Sequence, residues 1–158
     1  FINIRSETIL ENPSFKASFL RRRCLIPVNG FYEWRKTDKQ PFFIKAKDSE
    51  LLYLAGIYDS WHSPDGSYIP SLGIITTSAN PYLQALHNRM PLLLSPAVYD
   101  LWLDPNLNNP QELQPLLSPS SEIELEMYPV DKRINSPQNN DADCLKPIKL
   151  STAKDNYL

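Results

Sequence analysis

No stretch of this chain approaches the roughly 20 consecutive apolar residues that a membrane-spanning helix needs, and no short apolar segment follows a basic start as in a secretory leader. Cysteine is scarce. Cys24 and Cys144 are the 2 cysteines among 158 residues, too few for a disulfide framework. Neither stands at a metal-binding spacing from His62 or His87, so no metal and no cofactor is expected. Internal repeats and domain linkers are lacking too, although the chain turns polar from about Gln138. These absences predict a single soluble domain over residues 1–150 with no membrane partner, in a reducing, cytoplasmic setting. An excess of charge is also missing: 16 basic against 18 acidic residues leave a net charge of −2, which at face value disfavours a nucleic-acid partner. Distribution matters more than the sum. Arg5, Lys16, Arg21, Arg22, Arg23, Arg35 and Lys36 crowd the first quarter, compatible with local phosphate binding or with a solvated helix end.

Proline is abundant, and its contexts explain why. Asn12-Pro13, Asn80-Pro81, Ser95-Pro96 and Asn109-Pro110 each pair a capping residue with proline at the first helical position, where the missing N–H costs nothing. Short helices are predicted over 14–20, 82–86, 97–103 and 111–117. Apolar or alternating runs predict strands over 24–28, 31–35, 42–46, 52–58, 69–77 and 123–130. Ser63-Pro64-Asp65-Gly66-Ser67 reads as a turn between two strands. The fold class is therefore α+β, a β-rich domain with a mixed or antiparallel sheet and short peripheral helices. Residues 151–158 read as a loose tail.

The stretch Gly30-Phe31-Tyr32-Glu33-Trp34 sets an acid inside an aromatic run. A strand puts Phe31 and Glu33 on one face and Tyr32 and Trp34 on the other. A carboxyl held against apolar surface loses hydration, which raises its pKa toward the range useful for proton transfer; an edge-strand glutamate facing water is the alternative. His87 reads as the end of the helix that starts at Asn80-Pro81, where partial negative charge favours the imidazolium; a structural hydrogen-bonding role is the alternative. His62 has a weaker case. Asn3 and Arg5, two apart, share a face if extended, giving an amide beside a phosphate-type fork; an ion pair between Arg5 and Glu7 is the alternative. Thr76-Thr77-Ser78, just before the Asn80 helix start, offers hydroxyls and N–H groups suited to an anion.

Taken in order, Asn3-Ile4-Arg5-Ser6-Glu7-Thr8, Arg22-Arg23-Cys24-Leu25-Ile26-Pro27 with Gly30-Phe31-Tyr32-Glu33-Trp34, Thr76-Thr77-Ser78-Ala79-Asn80, His87-Asn88-Arg89-Met90-Pro91 and Val130-Asp131-Lys132-Arg133-Ile134-Asn135-Ser136-Pro137 resemble the motifs of SOS-response-associated peptidase (SRAP) domains. The resemblance implies an SRAP-like fold and a DNA-damage response activity at abasic sites in single-stranded DNA. It implies a covalent crosslink through an N-terminal cysteine bared by removal of the initiator methionine, giving an imine and then a thiazolidine. By motif position, Glu33 matches the acid that manages proton transfer and assists methionine removal. His87 matches the residue that protonates the sugar ring oxygen, and Asn3 the amide that orients the reacting groups. Arg5, Thr76 and Arg89 match phosphate-contacting positions. A monomer is expected, nucleoid-associated if the source is bacterial.

The chain opens on Phe1 rather than methionine. The expectation is that its natural start lies upstream, with the nucleophile there, and that Cys24 is structural. Single strands also reward aromatic stacking, for which Trp34 and Trp61 are candidates. Two readings from other classes stay open: a non-catalytic module for single-stranded or junction DNA, and an unrelated hydrolase using Glu33 and His87 on a small molecule.

Overall fold

Strand alternation decides the architecture, because successive side chains must find something to pack against on opposite faces. The computed structural model describes residues 2–150. The tail expected at 151–158 lies outside the described residues, as does the Trp61 side chain. Eight strands are found there: β1 (Ile2–Arg5), β2 (Arg23–Val28), β3 (Phe31–Trp34), β4 (Pro41–Ala46), β5 (Leu52–His62), β6 (Tyr68–Ser78), β7 (Arg89–Pro91) and β8 (Leu125–Pro129). They form a larger sheet in the order β1-β6-β5-β2, with β7 added on β6, and a smaller sheet in the order β3-β4-β8. β1 runs parallel to β6 while the other pairs are antiparallel. The α+β class with a mixed sheet is what the sequence predicts. The hairpin of β5 and β6 runs further than predicted, to a turn where Gly66 takes φ +87°. The last strand is shorter than 123–130.

Alternation along β5 divides the core in two. Leu52 and Leu54 face one way, into a cluster with Phe42, Ile44, Ala46, Leu83, Leu86, Met90 and Leu93. Ala55 and Ile57 face the other way, into a cluster with Ile4, Phe19, Ile75, Trp102 and Leu113. The larger sheet is therefore the middle layer, with the smaller sheet on one face and helices on the other. Each fully buried large apolar side chain contributes on the order of 1.5–3 kcal/mol, and Phe19, Ile44, Ile75 and Trp102 are all fully buried.

The helices are α1 (Pro13–Arg21), α2 (Pro81–Gln84), α3 (Tyr99–Leu103) and α4 (Pro110–Leu113). Asn12, Asn80 and Asn109 cap as predicted, their side chains accepting from backbone N–H groups of the first turn. Ser95 makes no side-chain cap and precedes a 3-10 turn, Pro96–Val98. The helix predicted over 97–103 is thus split between that turn and α3, and the one over 111–117 between α4 and a 3-10 turn, Gln114–Leu117. Past residue 138 the chain is less loose than its polarity suggests. The Tyr128 hydroxyl donates to the Leu145 carbonyl at 2.7 Å, and Val130 bridges to Pro147.

Arg23 departs most from the solvated basic front. It is 7% exposed, and its guanidinium donates to five carbonyls, those of Phe19, Leu20, Trp102, Asp104 and Leu107, at 2.6–3.0 Å. A buried cation needs such partners, and here the ends of α1 and α3 supply them. Removing the donors would leave several carbonyls orphaned, at about 1–3 kcal/mol each before relaxation. Arg23→Met is expected to destabilise the protein by about 3 kcal/mol or more. Urea denaturation checks this, and a loss below about 1 kcal/mol would show that the carbonyls find water instead.

Candidate active site

Glu33 takes its position from strand register. It pairs with Phe42, and Phe31 pairs with Ile44, so both alternate residues of β3 turn toward the core shared with the larger sheet. Tyr32 and Trp34 face the other way, where Tyr32, Phe43 and Tyr128 stack in sequence at centroid distances of 5.4 and 5.8 Å. Gly30 permits this, because a Cβ there would collide with the Ile44 carbonyl and the Phe43 ring. The Glu33 side chain is 24% exposed. Burial pushes its carboxyl above the ordinary carboxylate value, while the His87 charge and the Trp34 N–H, donated at 3.2 Å, pull it back in part. The aromatic run thus gives a half-buried acid with a raised pKa.

His87 does not end a helix. α2 closes at Gln84 with Ala85 as its cap, and His87 follows in the turn that leads into β7. Its backbone N–H donates to the Leu83 carbonyl at 2.9 Å. What orients the ring is the main chain of Arg89, whose N–H donates to His87 Nδ1 at 3.1 Å. With Nδ1 an acceptor, the proton of the neutral imidazole sits on Nε2, and Nε2 lies 3.8 Å from Glu33 Oε1. In the charged ring Nδ1 carries a proton and finds the Arg89 carbonyl at 3.3 Å. The ring therefore has a main-chain partner in either protonation state. At 3.8 Å the acid and the imidazole attract as charges without sharing a hydrogen bond, so neither ties the other up.

The two groups come from different layers, and backbone contacts fix their distance. The Lys36 N–H, in the turn after β3, donates to the Leu86 carbonyl at 3.2 Å. Leu86 and Leu83 are buried in the shared core. Nothing in the spacing of residues 33–36 and 86–87 announces that bond.

A second cluster adjoins the first through Arg89. In the β6–β7 ladder Ser78 pairs with Arg89 and Thr76 with Pro91, so Arg89 and Thr76 are diagonal neighbours on one face. Arg89 Nη2 donates to the Thr76 hydroxyl at 3.1 Å. Its fork also grips Glu7, Nη1 to Oε1 at 2.7 Å and Nη2 to Oε2 at 3.0 Å. Arg5 Nε stands 3.9 Å from Glu7 Oε2, so the pair of Arg5 with Glu7 exists but is the looser of two. Thr76 lies inside β6, and Thr77 is buried, so what stands beside the Arg89 guanidinium is a side-chain hydroxyl and not the N–H groups of a helix start.

Asn3 and Arg5 are exposed on either side of buried Ile4. Parallel pairing sets Asn3 beside Ile74 and Arg5 beside Thr76, on the sheet face that turns toward Glu33. Among the described residues no side-chain hydrogen bond joins Asn3 to Glu33 or His87. With Arg5, Thr8 and Asn12 it lines an open groove of about 610 Å³ along the edge of β1. The structure thus brings Glu33 to His87, and Arg89 to Thr76, Glu7 and Arg5, and leaves Asn3 on the rim. Glu7 was missed as a partner of Arg89 because 82 residues separate them.

Trp34, 37% exposed, donates its indole N–H to Asn135 at 2.7 Å. Cys24 is half-buried, with its sulfur packed 2.9 Å from where a Cβ on Gly56 would stand, and burial pushes its thiol up from the ordinary value. Cys144 is 3% exposed. Among the described residues no group of three or more His, Cys, Asp or Glu could hold a metal ion, and no helix is long and apolar enough to cross a membrane.

Residues 1–137 match the family model described as SOS response associated peptidase (SRAP). The chain is 39% identical over 148 residues to the abasic site processing protein YoqW of Bacillus subtilis (strain 168), covering 92% of this chain and 66% of that protein. It is 33% identical over 183 residues to the abasic site processing protein HMCES of Rattus norvegicus, covering 97% of this chain and 51% of that protein. The chain therefore spans just under two thirds of the one and about half of the other. A crystal structure of a protein from Bacteroides thetaiotaomicron superposes with a TM-score of 0.84 at 31% identity, covering 93% of this chain and 66% of that one.

The raised Glu33 pKa has a consequence for stability. A group that holds its proton more tightly when folded contributes stability that is complete below its unfolded pKa, here the ordinary 4.5, and lost as pH rises through the folded value. Above that window the ionised carboxylate opposes folding, and glutamine does not ionise. Glu33→Gln is expected to be at least as stable as wild type at neutral pH, with the difference narrowing in acid. Thermal denaturation at both pH values checks it; a markedly less stable variant at neutral pH would mean that the charged form is the one the fold favours.

Proposed function

The chain belongs to the SOS response associated peptidase family, and from that premise we propose that the protein binds abasic sites in single-stranded DNA and, when intact, crosslinks to them through an N-terminal cysteine. The observation that carries the reading is the contact between Glu33 and His87, an acid and an imidazole drawn from two layers to 3.8 Å, beside the Arg89 fork. The names of relatives such as YoqW and HMCES, abasic site processing proteins, support the same substrate.

The proposed chemistry suits such a pair. Once the initiator methionine is hydrolysed away with help from Glu33, the new amine and thiol face the abasic sugar. His87 as the imidazolium, its Nδ1–H held by the Arg89 carbonyl, gives its Nε2 proton to the ring oxygen as the bond from that oxygen to C1′ breaks, and the C1′ hydroxyl releases its own proton to water, leaving the aldehyde. Glu33 takes a proton from the amine as its nitrogen bonds to the aldehyde carbon, and one water leaves to give the imine. The sulfur then bonds to the imine carbon and its proton passes to nitrogen, closing a thiazolidine. Overall an amine, a thiol and an aldehyde give one thiazolidine and one water. Burial raises the Glu33 pKa and the His87 ring keeps a main-chain partner in either protonation state, which suits the pair to passing protons. Asn3, on the rim, orients the reacting groups, and Arg5, Thr76 and Arg89 hold the flanking phosphates. Few phosphates need neutralising around one lesion, which reconciles DNA binding with a net charge of −2.

In the full-length protein, Glu33→Gln and His87→Ala are each expected to slow crosslinking to an abasic single strand by about a hundredfold, read on denaturing gels. Crosslinking by both variants at the wild-type rate would remove the roles assigned to them. Arg5→Ala and Arg89→Ala are expected to weaken binding and to flatten its dependence on log salt by about 0.7 each. A salt slope that does not change takes that arginine off the phosphate list.

A further inference from the structure

The Arg89 fork is already filled by an anion from its own chain. Glu7 meets it with both carboxylate oxygens, at 2.7 and 3.0 Å, the planar two-point geometry by which guanidinium groups also take phosphate. The two partners differ in how firmly they are held. The Arg89 side chain is 18% exposed, donates to Thr76 and sits on a strand paired to β6. Glu7 is 44% exposed on a single 3-10 turn, Ser6–Thr8, that buries none of its residues. A second cation, Arg5, stands 3.9 Å from Oε2, the oxygen that Arg89 Nη2 also holds.

We propose that Glu7 is a built-in placeholder for phosphate: its carboxylate occupies the Arg89 fork in the free protein and yields that fork to a phosphate of the bound strand, swinging out into solvent from its exposed turn. The inference rests on the DNA reading above. The exchange swaps one anion for another on an unmoved guanidinium, so it leaves Arg89 and the His87 ring held by its main chain where they are. The Arg89 hold keeps the Glu7 carboxyl below the ordinary carboxylate range, so the placeholder stays charged at neutral pH. Its effect is selectivity. A stray anion has only the fork to gain and must evict Glu7 for it, whereas a strand that also reaches Thr76, Arg5 and the groove along β1 has further contacts to set against the exchange. Glu7, 44% exposed, stays open to water and salt on its side of the pair, which lets the exchange occur.

The test uses full-length protein and a labelled single strand carrying tetrahydrofuran in place of the abasic sugar, which has no aldehyde, with binding read by fluorescence anisotropy at about 50 and 200 mM salt. Glu7→Gln is expected to bind about two- to fivefold more tightly at the lower salt, and the gain is expected to vanish in an Arg89→Ala background. Glu7→Ala, read in the same way, provides a second removal of the carboxylate. Equal or weaker binding by both variants would overturn the proposal, since the carboxylate would then only be propping Arg89. A gain that persists without Arg89 would overturn it as well, by reducing it to net charge. If wild type and variants all fail to bind, the DNA reading falls and takes the placeholder with it. Wild-type binding without a gain removes the placeholder alone.

Discussion

Two sheets clamped through one apolar core hold Glu33 against His87, and the chemistry available to either residue depends on that clamp. Phe42 and Ile44 from the smaller sheet meet Leu52 and Leu54 from the larger, with Leu83, Leu86 and Met90 between. Met90 is the central residue of the strand that follows His87, and Phe42 is the ladder partner of Glu33. The same packing that buries the apolar residues thus removes water from one carboxylate and brings an imidazole up to it. Burial raises the acid's pKa; proximity of the imidazole lowers it in part. Both effects are set by how closely the layers approach.

The crowd of positive charge in the first quarter of the chain resolves into separate tasks. Arg23 is buried as a structural tie between β2 and two helix ends. Arg22 reaches back to the Tyr58 carbonyl, Ser18 and Asp59. Arg35 is held by Asp38 and lies over the Phe42 ring at 5.2 Å. Arg5 is 65% exposed and loosely paired. Lys16, Arg21 and Lys36 are exposed, so what sequence composition shows as one basic front includes one buried tie and two locally paired arginines, and counts of charge overstate the surface offered to phosphate.

Much of this was legible beforehand, for physical reasons that differ by element. The alternation of β3 assigns the faces of Phe31 and Glu33 without further information, because the period of a strand is two. Asn-Pro pairs mark three helix starts, because a capping side chain and a proline both act within four residues. Ser95-Pro96 has the same look but leads into a 3-10 turn with an uncapped start, as local signals cannot tell which tight helix a turn will adopt. The end of α2 was misjudged: the apolar residues Leu83 and Leu86 continue a helical spacing past the helix itself, because the shared core wants both. Arg23 and Glu7 were the least legible. Their partners lie about 80 residues away, and contacts between distant segments leave no periodicity to read.

One further consequence follows from the way the two internal thiols are kept. Cys24 lies packed over Gly56 with its ionisation suppressed, and Cys144, in the turn Ala142–Leu145, is buried. An electrophile arriving in solution therefore meets no ready sulfur nucleophile from the folded body of residues 2–150. Against that quiet background, the N-terminal cysteine proposed for the intact protein is the thiol that alkylating dyes are expected to find first.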